Sequence, residues 1–141
     1  MISRFHGTYR FLSNFYPSEI FYKGMVFKTV EHAYQAAKTY SIDDRMKIAN
    51  ADTPGQAKRL GRKANVRSDW ESVKVGVMRG LLIQKFSDVN LRKKLLATGK
   101  QELIEGNEWG DLFWGVCKGN GKNILGKLLM EIRDNETISN S

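Results

Sequence analysis

Glu31, Gln35 and Lys38 are the residues of this chain best spaced to do chemistry together. They lie in the segment Thr29-Val-Glu-His-Ala-Tyr-Gln-Ala-Ala-Lys38, where i, i+4 and i+7 spacing puts all three on one face of a helix. Thr29 is a good N-cap, which places Glu31 in the first turn, where the helix dipole favours a negative group. With a rise of about 1.5 Å per residue, the Glu31 and Lys38 backbones are separated by about 10 Å along the axis. That is too far for an ordinary i, i+4 ion pair and leaves room for a sugar-sized group between a carboxylate and an amine. A pocket on that face would be an active site, whereas the plainer alternative is a solvated face. Val30, Ala33 and Ala37 form a second, apolar stripe whose small alanines predict close packing.

Other segments carry weaker signals. Trp114-Gly-Val-Cys-Lys-Gly-Asn-Gly-Lys-Asn-Ile-Leu-Gly126 leads into a closing helix, and its backbone NH groups suit an anion cradle as well as an ordinary turn. It lacks the Walker pattern. Asp111, Trp114 and Asn123 bring an acid, a stacking surface and an amide to one loop, a combination suited to a nucleobase or ribose. Singly they also read as a turn acid, a core tryptophan and a helix cap. Phe11-Leu-Ser-Asn-Phe-Tyr-Pro17 joins aromatics to Ser13 and Asn14, either as a heterocycle site or as aromatic core. Lys58, Arg59 and Arg62 in a basic run can meet phosphate or stay solvated. Cys117 reads as a small packed side chain.

The elements that must position these residues follow from local signals. Ile20-Phe-Tyr22 and Met25-Val-Phe27 flank a Lys23-Gly24 turn and predict a hairpin, while Tyr9–Leu12 alternates as an extended segment. Ser41 with Asp44, Thr53 with Pro54 and Gln56, and Ser68 with Glu71 mark helix starts. The longest helix is expected over 69–86, with Trp70, Val73, Val77 and Leu81 facing the core. Another runs from Asn90 to Ala97 and stops at Gly99. Short strands are expected at 102–105 and 112–116 around an Asn107–Gly110 turn. A closing helix over 123–134 should bury Leu125, Leu128, Leu129 and Ile132, and a polar tail, 136–141, should fray.

The bulk properties set the frame. A chain of 141 residues, 41% hydrophobic and 27% charged, suits one domain, residues 1–135, with the tail beyond it. No apolar run reaches the roughly 20 residues of a membrane span, and no basic segment followed by an apolar stretch opens the chain, so a cytoplasmic setting is expected. Cys117 is the single cysteine, which excludes an intrachain disulfide and a multi-thiolate zinc site. His6 and His32 lack metal-ligand spacing, so neither a catalytic metal nor a cofactor is expected. The net charge of +8 favours anionic partners, either phosphate-bearing small molecules or nucleic acid.

Taken in order, Phe11–Phe15, Glu31–Lys38, Ala57-Lys-Arg-Leu-Gly61, Asp69-Trp70, Asp111-Leu-Phe-Trp-Gly115 and Gly121–Met130 resemble the NADAR superfamily, the YbiA-like proteins. The resemblance covers nearly the whole chain. It implies an N-glycosidase acting on ribosyl N-glycosidic bonds, with two substrate classes: ribosylamino-pyrimidine phosphates of riboflavin synthesis, and ADP-ribose attached to guanine in nucleosides or nucleic acid. It also implies a lysine nucleophile, which maps onto Lys38, with Glu31 moving protons. Asn14, Gln35, Trp70, Trp114, Gly115 and Asn123 are then substrate-binding candidates, Asp111 an orienting acid, and Lys58, Arg59 and Arg62 phosphate ligands. The expected fold is α+β, a mostly helical single domain around a small antiparallel sheet. Two other functions fit the same residues: a non-catalytic ADP-ribose or NAD-binding module, and a basic nucleic-acid-binding protein.

Overall fold

A computed structural model describes residues 1–139, with side chains through Asn135. The expected α+β architecture is observed, mostly helical with a small antiparallel sheet. By its internal contacts the chain falls into two compact units, Asn14–Lys85 and a second built from Met1–Ser13 and the chain from Phe86 on.

The Asn14–Lys85 unit starts with the expected hairpin, β1 (Ile20–Tyr22) and β2 (Met25–Phe27), in antiparallel register with Phe21 opposite Val26. Lys23 and Gly24 both take positive φ, as a two-residue hairpin turn requires. Helix α1 (Val30–Ala37) begins where Thr29 Oγ1 accepts the His32 amide at 3.1 Å. All eight of its residues are buried, so the polar stripe is enclosed along with the apolar one. Its neighbours are α2 (Ile42–Ala49), α3 (Pro54–Lys63), α4 (Trp70–Lys85) and the hairpin. Ser41 caps α2 through the Asp44 amide, and Thr53 caps α3 through the Gln56 amide. At the start of α4 the Asp69 carbonyl accepts the Ser72 and Val73 amides.

Of the four residues expected to face the core from α4, Trp70 and Leu81 do so. Trp70, Met78, Leu81, Leu82 and Lys85 are buried, whereas Val73 and Val77 are half-buried. Two lysines on that stripe, Lys74 and Lys85, hid it from an apolar pattern. Lys85 has almost no exposure, and its Nζ lies 5.7 Å from the Tyr16 ring centre. A lysine stem packs as hydrocarbon even when its end is charged.

In the other unit, Gly7–Leu12 form a 3₁₀ helix, which corrects the extended reading of Tyr9–Leu12. Phe11 and Leu12 are consecutive and both buried, which strand alternation forbids when one face is solvated. Helix α5 (Val89–Ala97) is capped by Asp88 and ends before Gly99, which has φ of 66°. The strands expected at 102–105 and 112–116 are replaced by β3 (Gly106–Asn107) and β4 (Val116–Cys117), which pair in parallel. Leu103 meets Ile2 in a separate parallel bridge. Helix α6 (Ile124–Ser139) buries Leu125, Leu128, Leu129 and Ile132 as expected and continues past Asp134. The last residues of the expected tail lie outside the described residues. No helix among the described residues is long and apolar enough to cross a membrane.

Candidate active site

The chemistry of the Asn14–Lys85 unit converges on α1. Glu31 is 8% exposed, which removes the solvated-face alternative for its carboxylate. The Gln35 side chain, one turn on, donates from Nε2 to Glu31 Oε1 at 2.8 Å. The Glu31 amide donates to the Asn14 carbonyl at 3.1 Å, so Asn14 sits beside the first turn of α1. Asn14 Oδ1 is buried with no hydrogen-bond partner among the described residues, while its amide nitrogen has only the Met78 sulfur at 3.5 Å. Gln35 Oε1 likewise lacks a partner and lies against the Cα of Gly61 in α3.

Lys38 closes α1 as its C-cap and is half-buried. Burial is the main force lowering its pKa, because a charged ammonium loses water there. Glu31 opposes that shift, and the cations Lys58, Arg62 and Lys74 add to it. Of the basic run, Lys58 and Arg62 are therefore electrostatic neighbours of Lys38. They lie four residues apart on α3, Lys58 half-buried and Arg62, like Arg59, exposed. Lys38 Nζ lies 5.6 Å from the Tyr34 ring centre, and Tyr34 packs against Trp70 with centroids 5.1 Å apart. This unit thus gathers Asn14, Glu31, Gln35 and Lys38 with Trp70, Lys58 and Arg62.

Sequence reasoning missed three residues here. Tyr34 precedes Lys38 by one helical turn, and Lys74 follows Trp70 by one turn, so helical spacing held a signal for both. Gly61 is different, because its importance comes from another helix: a methyl group there would overlap the Gln35 amide. His32 is fully buried and structural. Its Nε2 donates to the Ala51 carbonyl at 3.0 Å, which leaves Nδ1 to accept from the Thr29 hydroxyl at 2.7 Å.

In the second unit, the remaining candidates are tied to backbone. Asp111 Oδ1 accepts the amides of Phe113 and Trp114, the turn-acid role. Those bonds, with Asn107 Oδ1 accepting the Asp111 amide, bend 111–115 away from a strand. Trp114 is half-buried and packs edge-on against Phe113 at 4.9 Å. Gly115 is buried where a Cβ would overlap the Glu105 carbonyl. Asn123 accepts from the Glu105 amide and donates to the Leu103 carbonyl, so both ends of its amide are engaged. Of the two readings of 114–126, the ordinary turn fits the bonding, because the amides of Lys122, Asn123, Ile124 and Leu125 donate to carbonyls of residues 112–115. Cys117 is buried and packed, and Cys117–Asn120 form a tight turn. No cluster of three His, Cys, Asp or Glu among the described residues is placed to hold a metal ion.

Comparison with known proteins gives the family and the fold. The NADAR domain family matches residues 3–135, and the chain belongs to that family. It is 40% identical over 144 residues to N-glycosidase YbiA of Escherichia coli (strain K12), covering 97% of this chain and 89% of that protein. A riboflavin biosynthesis protein of Vibrio vulnificus (strain YJ016) is 40% identical over 133 residues, covering 92% of this chain. The chain spans only 35% of the length of that relative. The fold is similar to the NMR structure of E. coli YbiA, with a TM-score of 0.86 and 39% identity, covering 99% of this chain and 87% of that one.

Proposed function

We propose that this chain hydrolyses a ribosyl N-glycosidic bond of a phosphorylated substrate, with Lys38 as nucleophile and Glu31 as the proton carrier. One observation carries the reading: a buried carboxylate and a half-buried amine of lowered pKa share one face of α1, separated by about two turns. The relatives named N-glycosidase support the bond class, and the relatives named for riboflavin biosynthesis support a ribosyl phosphate as substrate. Within that class the two candidates are a ribosylamino-pyrimidine phosphate and ADP-ribose attached to guanine.

Neutral Lys38 Nζ attacks C1′ of the ribosyl group as the bond from C1′ to the leaving nitrogen breaks, and protonated Glu31 gives that nitrogen its proton. The ring bond from C1′ to O4′ then opens, O4′ takes the proton lost by Nζ, and the sugar is held as a lysine imine. Glu31, now a carboxylate, removes a proton from water, and the oxygen adds to the imine carbon. Collapse returns the amine to Lys38 and releases a ribose that closes to its hemiacetal. Gln35 holds the Glu31 carboxylate, Tyr34, backed by Trp70, lies beside the lysine, and Lys58 and Arg62 receive phosphate. The Asn14 amide accepts from a sugar hydroxyl.

The test is a substrate panel of ADP-ribosylated guanosine, ADP-ribosylated DNA and a ribosylamino-pyrimidine phosphate, with and without borohydride. Cleavage by wild type, with a trapped adduct that disappears in Lys38→Ala, is the expected result. Cleavage of none of the three would remove the glycosidase reading, and a fully active Lys38→Ala would remove the imine.

A further inference from the structure

Beyond the carboxylate and amine of α1, the Asn14–Lys85 unit has an open trough of about 760 Å³ whose lining includes Tyr22, Lys23, Tyr40, Arg45, Arg67 and Val73. None of the chemistry above uses it. Rings and cations alternate along it: the Arg45 guanidinium lies 5.4 Å from the Tyr22 ring centre and that of Arg67 4.5 Å from the Tyr40 ring centre. Lys23 adds a second cation 5.9 Å from Tyr22. Arg45 is held in place by its Nε, which donates to the carbonyls of Thr39 at 2.8 Å and Ala36 at 3.2 Å, at the end of α1. Asp69 occupies Arg67 with a two-point ion pair, whereas neither Lys23 nor Arg45 meets a carboxylate among the described residues. Tyr40 is 63% exposed, so an aromatic residue carrying Arg67 over its ring still meets solvent beside a row of positive charge.

We infer that this trough binds single-stranded nucleic acid, its tyrosines stacking bases and its cations tracking the phosphates. Aromatic faces interleaved with cations in an open groove suit a strand rather than an enclosed small molecule, because every base offers a face to stack and every linkage a charge. A duplex keeps its bases stacked on one another and cannot use Tyr22 or Tyr40 in this way. The trough also has a fixed place in the fold: the Arg67 amide donates to the Lys38 carbonyl at 2.7 Å, so the strand would run past the end of the helix that carries the lysine.

The test is fluorescence anisotropy with an unmodified, labelled single strand of about ten thymidines and the matching duplex, at about 50 mM salt and upward. No cleavage takes place in this assay, so its failure and a failure of the glycosidase panel are separate results. Wild type should bind the single strand in preference to the duplex. Tyr40→Ala should weaken binding about tenfold while Tyr40→Phe retains it, because the ring and not the hydroxyl does the stacking. Lys23→Gln should flatten the slope of log affinity against log salt by about 0.7. Absence of binding at low salt, equal binding by wild type and Tyr40→Ala, or a preference for duplex would each overturn the inference and leave this face to a protein partner. Both substituted positions are exposed, and melting curves check that the variants fold.

Discussion

Lys38 and Glu31 depend on each other's charge in opposite ways, and substitutions can read that dependence. Because burial lowers its pKa, Lys38 should react with an amine-modifying reagent faster as the pH rises, along a limb that lies below the ordinary lysine value of 10.5. Glu31 is the group that holds this pKa up, so Glu31→Gln should move the limb further toward acid. The same variant should lose activity by about 10²–10⁴-fold, the usual contribution of a placed acid or base. Lys58→Gln removes a cation that presses the pKa down and should move the limb toward alkali. A pH series of the Lys38 labelling rate in the three proteins, read by peptide mass mapping, checks these shifts, and a limb that stays in place in Glu31→Gln would contradict the electrostatic account. Asn14→Ala belongs to the same scale. Its side-chain oxygen has no hydrogen-bond partner among the described residues, so KM should rise with little loss of stability.

Between elements, contact of α1 with α3 makes two glycine substitutions diverge. In both helices alanine has the better helix propensity, by about 1 kcal/mol. At Gly80 in α4 a Cβ meets nothing, so Gly80→Ala should raise the melting temperature. At Gly61 the methyl group collides with Gln35, and overpacking of about 1–3 kcal/mol outweighs the propensity gain, so Gly61→Ala should melt earlier. It should also reduce activity, since Gln35 holds Glu31. Paired thermal melts decide the point. The contrast also explains what the sequence could reveal. The hairpin, the N-caps at Thr29, Ser41 and Thr53, and the Glu31 and Lys38 spacing are local patterns, and each was legible. The parallel pairing of Gly106 with Val116, the bridge from Ile2 to Leu103 and the fit of Gln35 to Gly61 join distant positions and leave no periodic trace. Part of the buried face of α4, Met78, Leu82 and Lys85, was hidden for a related reason, since Lys74 and Lys85 interrupt its apolar run.

For the molecule as a whole, acid stability should depend on His32. Burial keeps this imidazole neutral and lowers its pKa below the ordinary value of 6.5, so the unfolded chain takes up a proton that the folded one resists. Folding stability should therefore be unaffected by His32 above pH 6.5 and should fall as the pH drops from that value toward the lowered one. Urea titrations across this range in wild type and His32→Gln check it, and the variant should lose the His32 part of the slope whatever its overall stability. Unfolding as a physical event can also be timed in this chain. Cys117 is its single thiol and is buried against β4's neighbours, so an excess of thiol reagent reacts only when that part of the chain opens. The labelling rate of native protein is then a clock for one event at one address. Read alongside the melting of Gly61→Ala, a substitution far from Cys117 in sequence, it reports whether a fault introduced beside the lysine hastens the opening of the cysteine's surroundings or leaves their rhythm unchanged.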